Sequence, residues 1–123
     1  MLANATMGSF VATADPVKAR EFYENALGLE FVSDEPYALV FNSNGTTLRV
    51  QKVSEVVVAP YTAIGWHVSD IESVISGLKE RGVEFIFFDG FGQDEHGIVT
   101  FPGGAKVAWF KDPDGNTLSL DEY

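Results

Sequence analysis

An α+β fold of two tandem βαβββ modules is predicted by three features of this 123-residue chain. A strand-like run is twice followed by an aspartate suited to cap a helix, Asp15 and then Asp70, 55 residues apart. Each capped stretch has apolar residues at helical spacing and stops at a glycine, Gly28 or Gly82, where Gly28-Leu-Glu-Phe31 is echoed by Gly82-Val-Glu-Phe85. The remaining segments are short, rich in β-branched and aromatic residues, and punctuated by turn residues. Self-similarity at a fixed offset marks a duplicated unit. The repeats run from about residue 7 to 54 and from about 61 to 123, within a single domain of residues 1–123.

In chain order, Met7 to Ala14 reads as the first strand. Asp15-Pro16 then places a side-chain oxygen at the N-cap and a proline at the first helical position, where its missing N–H costs nothing. Ala19, Phe22, Tyr23 and Ala26 form one apolar stripe at i, i+3, i+4 and i+7, and Gly28 suits a left-handed stop. Leu29 to Ser33, Tyr37 to Asn42 and Thr46 to Val53 read as strands, the last two joined by the Asn44-Gly45 turn. Glu55 to Pro60 is the expected linker, with Val56-Val-Val58 also able to extend a strand.

The second module repeats the order. Thr62 to Ser69 is a strand, Asp70 a cap, and Ile71, Val74, Ile75 and Leu78 a helical face. Phe85 to Phe88 leads into a glycine-rich segment, Asp89 to Gly97, of the kind that acts as a mobile lid beside a cleft. Strands follow near Ile98–Phe101, at Lys106–Lys111 and from Thr117 to the end. One helix per module must cover one face of a mixed sheet, so each sheet is expected to curl and leave a concave cleft opposite.

Alternation along each strand assigns residues to that concave face. Phe10 in the first strand, Arg49 and Gln51 in the fourth, Ala63, Gly65 and His67 in the fifth, and Thr117, Ser119 and Asp121 in the last are expected there. Leu48, Val50, Ile64, Trp66, Leu118 and Leu120 are expected against the helices.

The closing hairpin Phe110-Lys-Asp-Pro-Asp-Gly-Asn-Thr-Leu-Ser-Leu120, together with the duplication, resembles the vicinal oxygen chelate superfamily of glyoxalase I, bleomycin-resistance proteins and extradiol dioxygenases. The resemblance implies a curled sheet with a cleft and, in the metal enzymes, four ligands: a histidine seven residues before each capping acid and a carboxylate four residues after each turn glycine. Those positions are held here by Gly8, Ala63, Arg49 and Ser119. A divalent cation needs several imidazoles or carboxylates, so no metal and no cofactor is expected. The resemblance also implies a homodimer.

The remaining candidates are weighed on their chemistry. The two histidines are His67 and His96. His96, in Gln93-Asp-Glu-His96, reads as part of a solvated loop, and His67 as either a hydrogen-bonded lining residue or a general base. Asp112 and Asp114 are accounted for by turn geometry. Trp109 holds a position that contacts substrate in glyoxalase-like relatives, with ordinary packing as the alternative, and Phe10, Phe88, Phe91 and Phe101 are further apolar walls. Arg49 suits a ligand carboxylate or phosphate, or else neutralises Asp121 or another internal carboxylate. The expected ligand-binding set is Phe10, Arg49, Gln51, His67, Trp109 and Ser119.

Composition excludes other classes. With 18 acidic against 8 basic residues the net charge is −10, which repels nucleic acid and anionic membranes and would draw in a cationic ligand. There is no cysteine, so disulfides and thiolate chemistry are absent. The start lacks the basic and apolar regions of a signal peptide, and no run is long enough to span a membrane. Neither a phosphate-binding Gly-rich motif nor a serine-hydrolase elbow is present. These readings converge on a cytoplasmic protein that binds an unidentified small molecule. The alternative is a metal-independent isomerase or lyase acting on a carbonyl or carboxylate compound, with His67 as base and Arg49 as oxyanion partner. A third reading is a protein-contact module.

Overall fold

The computed structural model describes residues 1–123, which form two compact units, Met1–Val57 and Val58–Tyr123. In the first, β1 (Ser9–Thr13) is followed by α1 (Pro16–Arg20), then β2 (Glu30–Asp34), β3 (Ala38–Ser43) and β4 (Thr46–Lys52). In the second, β5 (Ile64–His67) precedes α2 (Ile71–Glu80), β6 (Val99–Thr100), β7 (Lys106–Lys111) and β8 (Thr117–Glu122). The sheets have the same plan, β1-β4-β3-β2 and β5-β8-β7-β6, with β1 parallel to β4, β5 parallel to β8, and every other pair antiparallel. The predicted duplication is therefore present in the hydrogen-bond ladders themselves.

The repeated sequence signals do the same physical work in both units. Asp15 accepts the N–H of Lys18, and Asp70 that of Ser73, each across 3.2 Å. Each thereby satisfies one donor of the open first turn. Gly28 and Gly82 take φ of 75° and 88°, and the amides just beyond turn back to Tyr23 and Leu78. Ile71, Ile75 and Leu78 of α2 are buried, as are Ala108, Phe110, Leu118 and Leu120 of the second sheet.

The first helix departs from the regular spacing. After Arg20 it widens into a π-helical stretch, Glu21–Ala26, with the Leu27 N–H reaching the Phe22 carbonyl at 2.9 Å. The wider turn advances fewer degrees per residue than an α-helix. Ala19 and Tyr23 stay fully buried, while Phe22 and Ala26 are only half-buried. Tyr23 meets Phe22 and Phe41 ring to ring, and Phe41 also meets Phe31, so aromatic contacts fill the core of this unit.

The two sheets differ at their outer edge. β2 is a five-residue strand paired to β3 with one register shift between Phe31 and Ser33. The corresponding edge of the second sheet is split. Phe85 bridges to Phe110 of β7, the chain then leaves the sheet, and only Val99 and Thr100 return to pair with Val107 and Lys106. The expected strands at 85–88 and 98–101 are thus reduced to one bridge and two residues. Val56–Val58 adds no strand.

Candidate functional site

The split edge creates the site. Residues 86 to 98 leave the sheet edge, Phe88 and Phe91 come to lie against Trp109 on the face opposite α2, and Gln93 braces the segment. Its Oε1 accepts the Phe88 N–H at 2.6 Å, and its Nε2 donates to the carbonyls of Ile86 and Gly97, each at 2.8 Å. Asp94 adds a second brace, its Oδ1 accepting the N–H groups of His96 and Ile98 at 2.9 Å. The segment expected to be a mobile lid is cross-linked to itself. His96 lies in this brace beside Glu95, outside any ligand cluster.

Held this way, Phe88 and Phe91 meet Trp109 edge-on, with ring centroids 5.6 and 5.5 Å away and 5.8 Å from each other. Edge-to-face contact sets the positive rim of one ring against the negative face of another. Trp109 donates its indole N–H to Thr62 Oγ1 at 3.2 Å. These three rings wall a half-open cavity of about 610 Å³, lined also by Ile86, by Val58 to Thr62 ahead of β5, and by Lys111 and Thr117. The walls are mostly apolar with a few polar groups, and the volume lies in the range of small-molecule sites.

Strand register locates the other expected residues on this sheet. Opposite α2, successive rows run Lys111–Thr117, then Trp109–Ser119–Gly65, then Val107–Asp121–His67. The cavity takes Lys111, Thr117 and Trp109 from the first two rows. His67 is in the third, about 13 Å along the strands from the Lys111 row. Its Nδ1 is paired with Asp121 Oδ1, and its ring meets Tyr123. Ser119 is 7% exposed. A Cβ on Gly65 would come within 2.6 Å of its hydroxyl oxygen, so Ser119 fills the space that Gly65 leaves.

Phe10, Arg49 and Gln51 belong to the first unit, on the face opposite α1. Phe10 and Gln51 are exposed there. Arg49, in register with Val40, sends Nη2 to Glu35 Oε1 at 2.8 Å, and the Ser33 hydroxyl donates to the other carboxylate oxygen at 3.1 Å. Of the uses foreseen for Arg49, pairing with a carboxylate of its own chain is the one present, though the partner is the partly solvent-exposed Glu35 and not Asp121. Hydrogen bonds from Arg49 and Ser33, with the guanidinium charge, hold the Glu35 carboxyl below its ordinary range despite a small opposing cost of burial.

The four positions corresponding to the metal ligands do not fit a divalent cation. Gly8 and Ala63 lack donor atoms, Arg49 is a cation holding Glu35, and Ser119 supplies one buried hydroxyl. Nowhere do three or more His, Asp or Glu side chains converge. No helix is long and apolar enough to cross a membrane.

Lys111, Thr62 and Tyr61 are site residues that sequence reading passed over. Lys111 shares strand parity with Trp109, two residues earlier, and that signal was available. The contribution of Tyr61-Thr62 depends on where the chain enters β5.

Comparison with known proteins agrees with this architecture. The family model described as Glyoxalase/Bleomycin resistance protein/Dioxygenase superfamily matches residues 4–120. A member of that superfamily from Sphaerobacter thermophilus DSM 20745 has a TM-score of 0.76 at 26% identity, covering 100% of both chains. A lactoylglutathione lyase from Agrobacterium tumefaciens shares the fold, with a TM-score of 0.74 at 17% identity over 99% of this chain and 96% of that one. A glyoxalase/bleomycin resistance protein from Catenulispora acidiphila DSM 44928 has a TM-score of 0.71 at 25% identity, covering 96% and 97%. No curated protein matches the chain.

Proposed function

The chain belongs to the glyoxalase/bleomycin resistance protein/dioxygenase superfamily, and on that premise we propose that it binds a small organic molecule in the aromatic cavity of its second module, without the metal site of the family's enzymes. The observation that carries this reading is the Phe88–Phe91–Trp109 triad around a cavity of about 610 Å³. Such a site gains affinity by taking a flat apolar ligand out of water, at roughly 25 cal/mol per Å² of apolar surface. The braced segment 86–98 lowers the ordering cost of binding, because its rings are held before the ligand arrives. The protein works in the cytoplasm as a homodimer, a state that light scattering at micromolar concentration checks: a mass of one chain rejects it.

The test is a thermal-shift screen of the full chain against aromatic and heteroaromatic compounds, repeated with Trp109→Ala. Ligands of this site raise Tm in the parent, by linkage, and lose the effect in the variant. A screen in which every hit shifts both proteins equally rejects the cavity as the binding site.

A second reading, a metal-independent isomerase or lyase acting on a carbonyl or carboxylate compound, is favoured by one observation: the His67 Nδ1–Asp121 pair. A carboxylate on Nδ1 fixes the imidazole tautomer and leaves Nε2 as the base. Against it, the guanidinium of Arg49 is engaged by Glu35. His67→Ala separates the readings: a binder keeps its affinity, and this enzyme loses nearly all turnover.

A further inference from the structure

The charge of the cavity wall narrows the ligand class. The chain carries 18 acidic residues, yet none lines the cavity, and the one charged side chain that does is Lys111. Each of the ion pairs engages other groups: Arg20–Glu24, Arg49–Glu35, Lys52–Asp34, His67–Asp121 and His96–Glu95. Lys111 therefore stands at the cavity without a carboxylate partner, in a protein with a large excess of carboxylates. Aromatic recognition of a cationic ligand works through ring faces and gains from a nearby carboxylate; here an ammonium group would repel such a ligand.

The other polar groups fit the same sign. The Thr62 oxygen accepts the indole N–H of Trp109 and retains its own O–H for donation. Thr117, in register with Lys111 on the neighbouring strand, adds a second hydroxyl at the wall. The cavity thus presents one cation and the hydroxyls of Tyr61, Thr62 and Thr117 beside the rings of Phe88, Phe91 and Trp109.

We propose that the cavity takes a planar aromatic anion, its ring system against Phe88, Phe91 and Trp109 and its charged group on Lys111. This rests on the cavity being the binding site. The protein's net charge of −10 opposes the approach of such a ligand at long range, so selectivity comes from the local ammonium group and not from steering. The volume accommodates a fused bicyclic ring or a larger one.

The test uses three probes of one shape, 2-naphthoate, 2-naphthamide and 2-naphthyltrimethylammonium, titrated calorimetrically into the full chain and into Lys111→Met, Lys111→Arg and Trp109→Ala. Lys111 is exposed on its strand, so its variants keep the fold, which circular dichroism verifies. Naphthoate is expected to bind roughly five- to tenfold tighter than the amide, the size of a partly solvated charge-assisted contact. Lys111→Met brings that ratio to about one, Lys111→Arg preserves it, and Trp109→Ala weakens all probes that bind. If amide or ammonium binds the parent as tightly as naphthoate, or the ratio survives Lys111→Met, the anion assignment is wrong while the cavity stands. If no probe binds the folded parent, or binding is indifferent to Trp109→Ala, the cavity reading falls and the assignment falls with it.

Discussion

The indole N–H of Trp109 is held by the hydroxyl oxygen of Thr62, 47 residues earlier in the chain, across 3.2 Å. This bond ties the middle of β7 to the segment entering β5 and fixes the plane on which Phe88 and Phe91 close. Thr62→Val keeps the shape and removes the acceptor. The indole donor is then left unpaired in a partly buried site, a cost of about 1 kcal/mol in stability. Chemical denaturation should show that loss, and ligands of the cavity should bind a few-fold more weakly as the ring loses its fixed orientation.

Gly65 and Ser119 are packed so closely that a single methyl group discriminates between them. Gly65→Ala puts a Cβ 2.6 Å from Ser119 Oγ and should destabilise by about 1–3 kcal/mol. Removing the hydroxyl relieves the conflict, because the Ser119 Cβ would lie 3.9 Å away. The double variant Gly65→Ala/Ser119→Ala should therefore recover most of the loss, a coupling read directly from a double-mutant cycle of denaturation free energies. Additive losses would contradict the packing described.

Gln93 is the brace of residues 86–98 through three hydrogen bonds. Gln93→Glu keeps the acceptor for Phe88 and replaces the donor with an oxygen facing two carbonyls. Amide hydrogen exchange across residues 86–98 should rise by about tenfold or more, while exchange in β7 and β8 stays unchanged. Ligand affinity should fall with it, since Phe88 and Phe91 are positioned by this segment.

Glu35 supplies the pH dependence. Its folded pKa is depressed, so the unfolded state binds the proton more readily at intermediate pH. The Arg49–Glu35 contribution is accordingly present above the unfolded pKa and lost as pH falls through the folded one. The Tm gap between the parent and Glu35→Gln should be widest near neutrality and close on acidification to about pH 2. A gap that grows on acidification would contradict the sign. The pair is solvent-exposed, so added salt should also narrow it.

Much of the fold was legible because its signals are local. Asp15 and Asp70 announce helix starts through a side chain three residues from its partner, and Leu48/Val50 against Arg49/Gln51 separates two faces by parity alone. The site was legible only in part. Trp109, Phe88 and Phe91 were recognisable as wall-forming types, but the Phe85 bridge and the short return at Val99–Thr100 depend on a long-range ladder to β7. The Arg49–Glu35 pair depends on the register shift between Phe31 and Ser33, which no spacing rule anticipates. The π-helical stretch Glu21–Ala26 after α1 was likewise invisible, because apolar residues at i, i+3, i+4 and i+7 suit a regular α-helix equally well. Ser119 looked like a vacancy in a ligand set and is instead the group that fills the hollow above Gly65.

The interrupted edge of the second sheet has an evolutionary consequence. In the first module the edge strand stays on β3 from Glu30 to Asp34, with Val32 taken up in a single register shift, so a further inserted residue would have to be absorbed within a continuous ladder. In the second, the same strand is pinned at Phe85 and again at Val99, and the stretch between the pins answers to no ladder. Residues can be gained, lost or exchanged there without disturbing β7 or β8, while every such change reshapes the wall facing Trp109. The second module's interrupted edge thus lets the wall facing Trp109 vary while the pairing of β7 with β8 is kept.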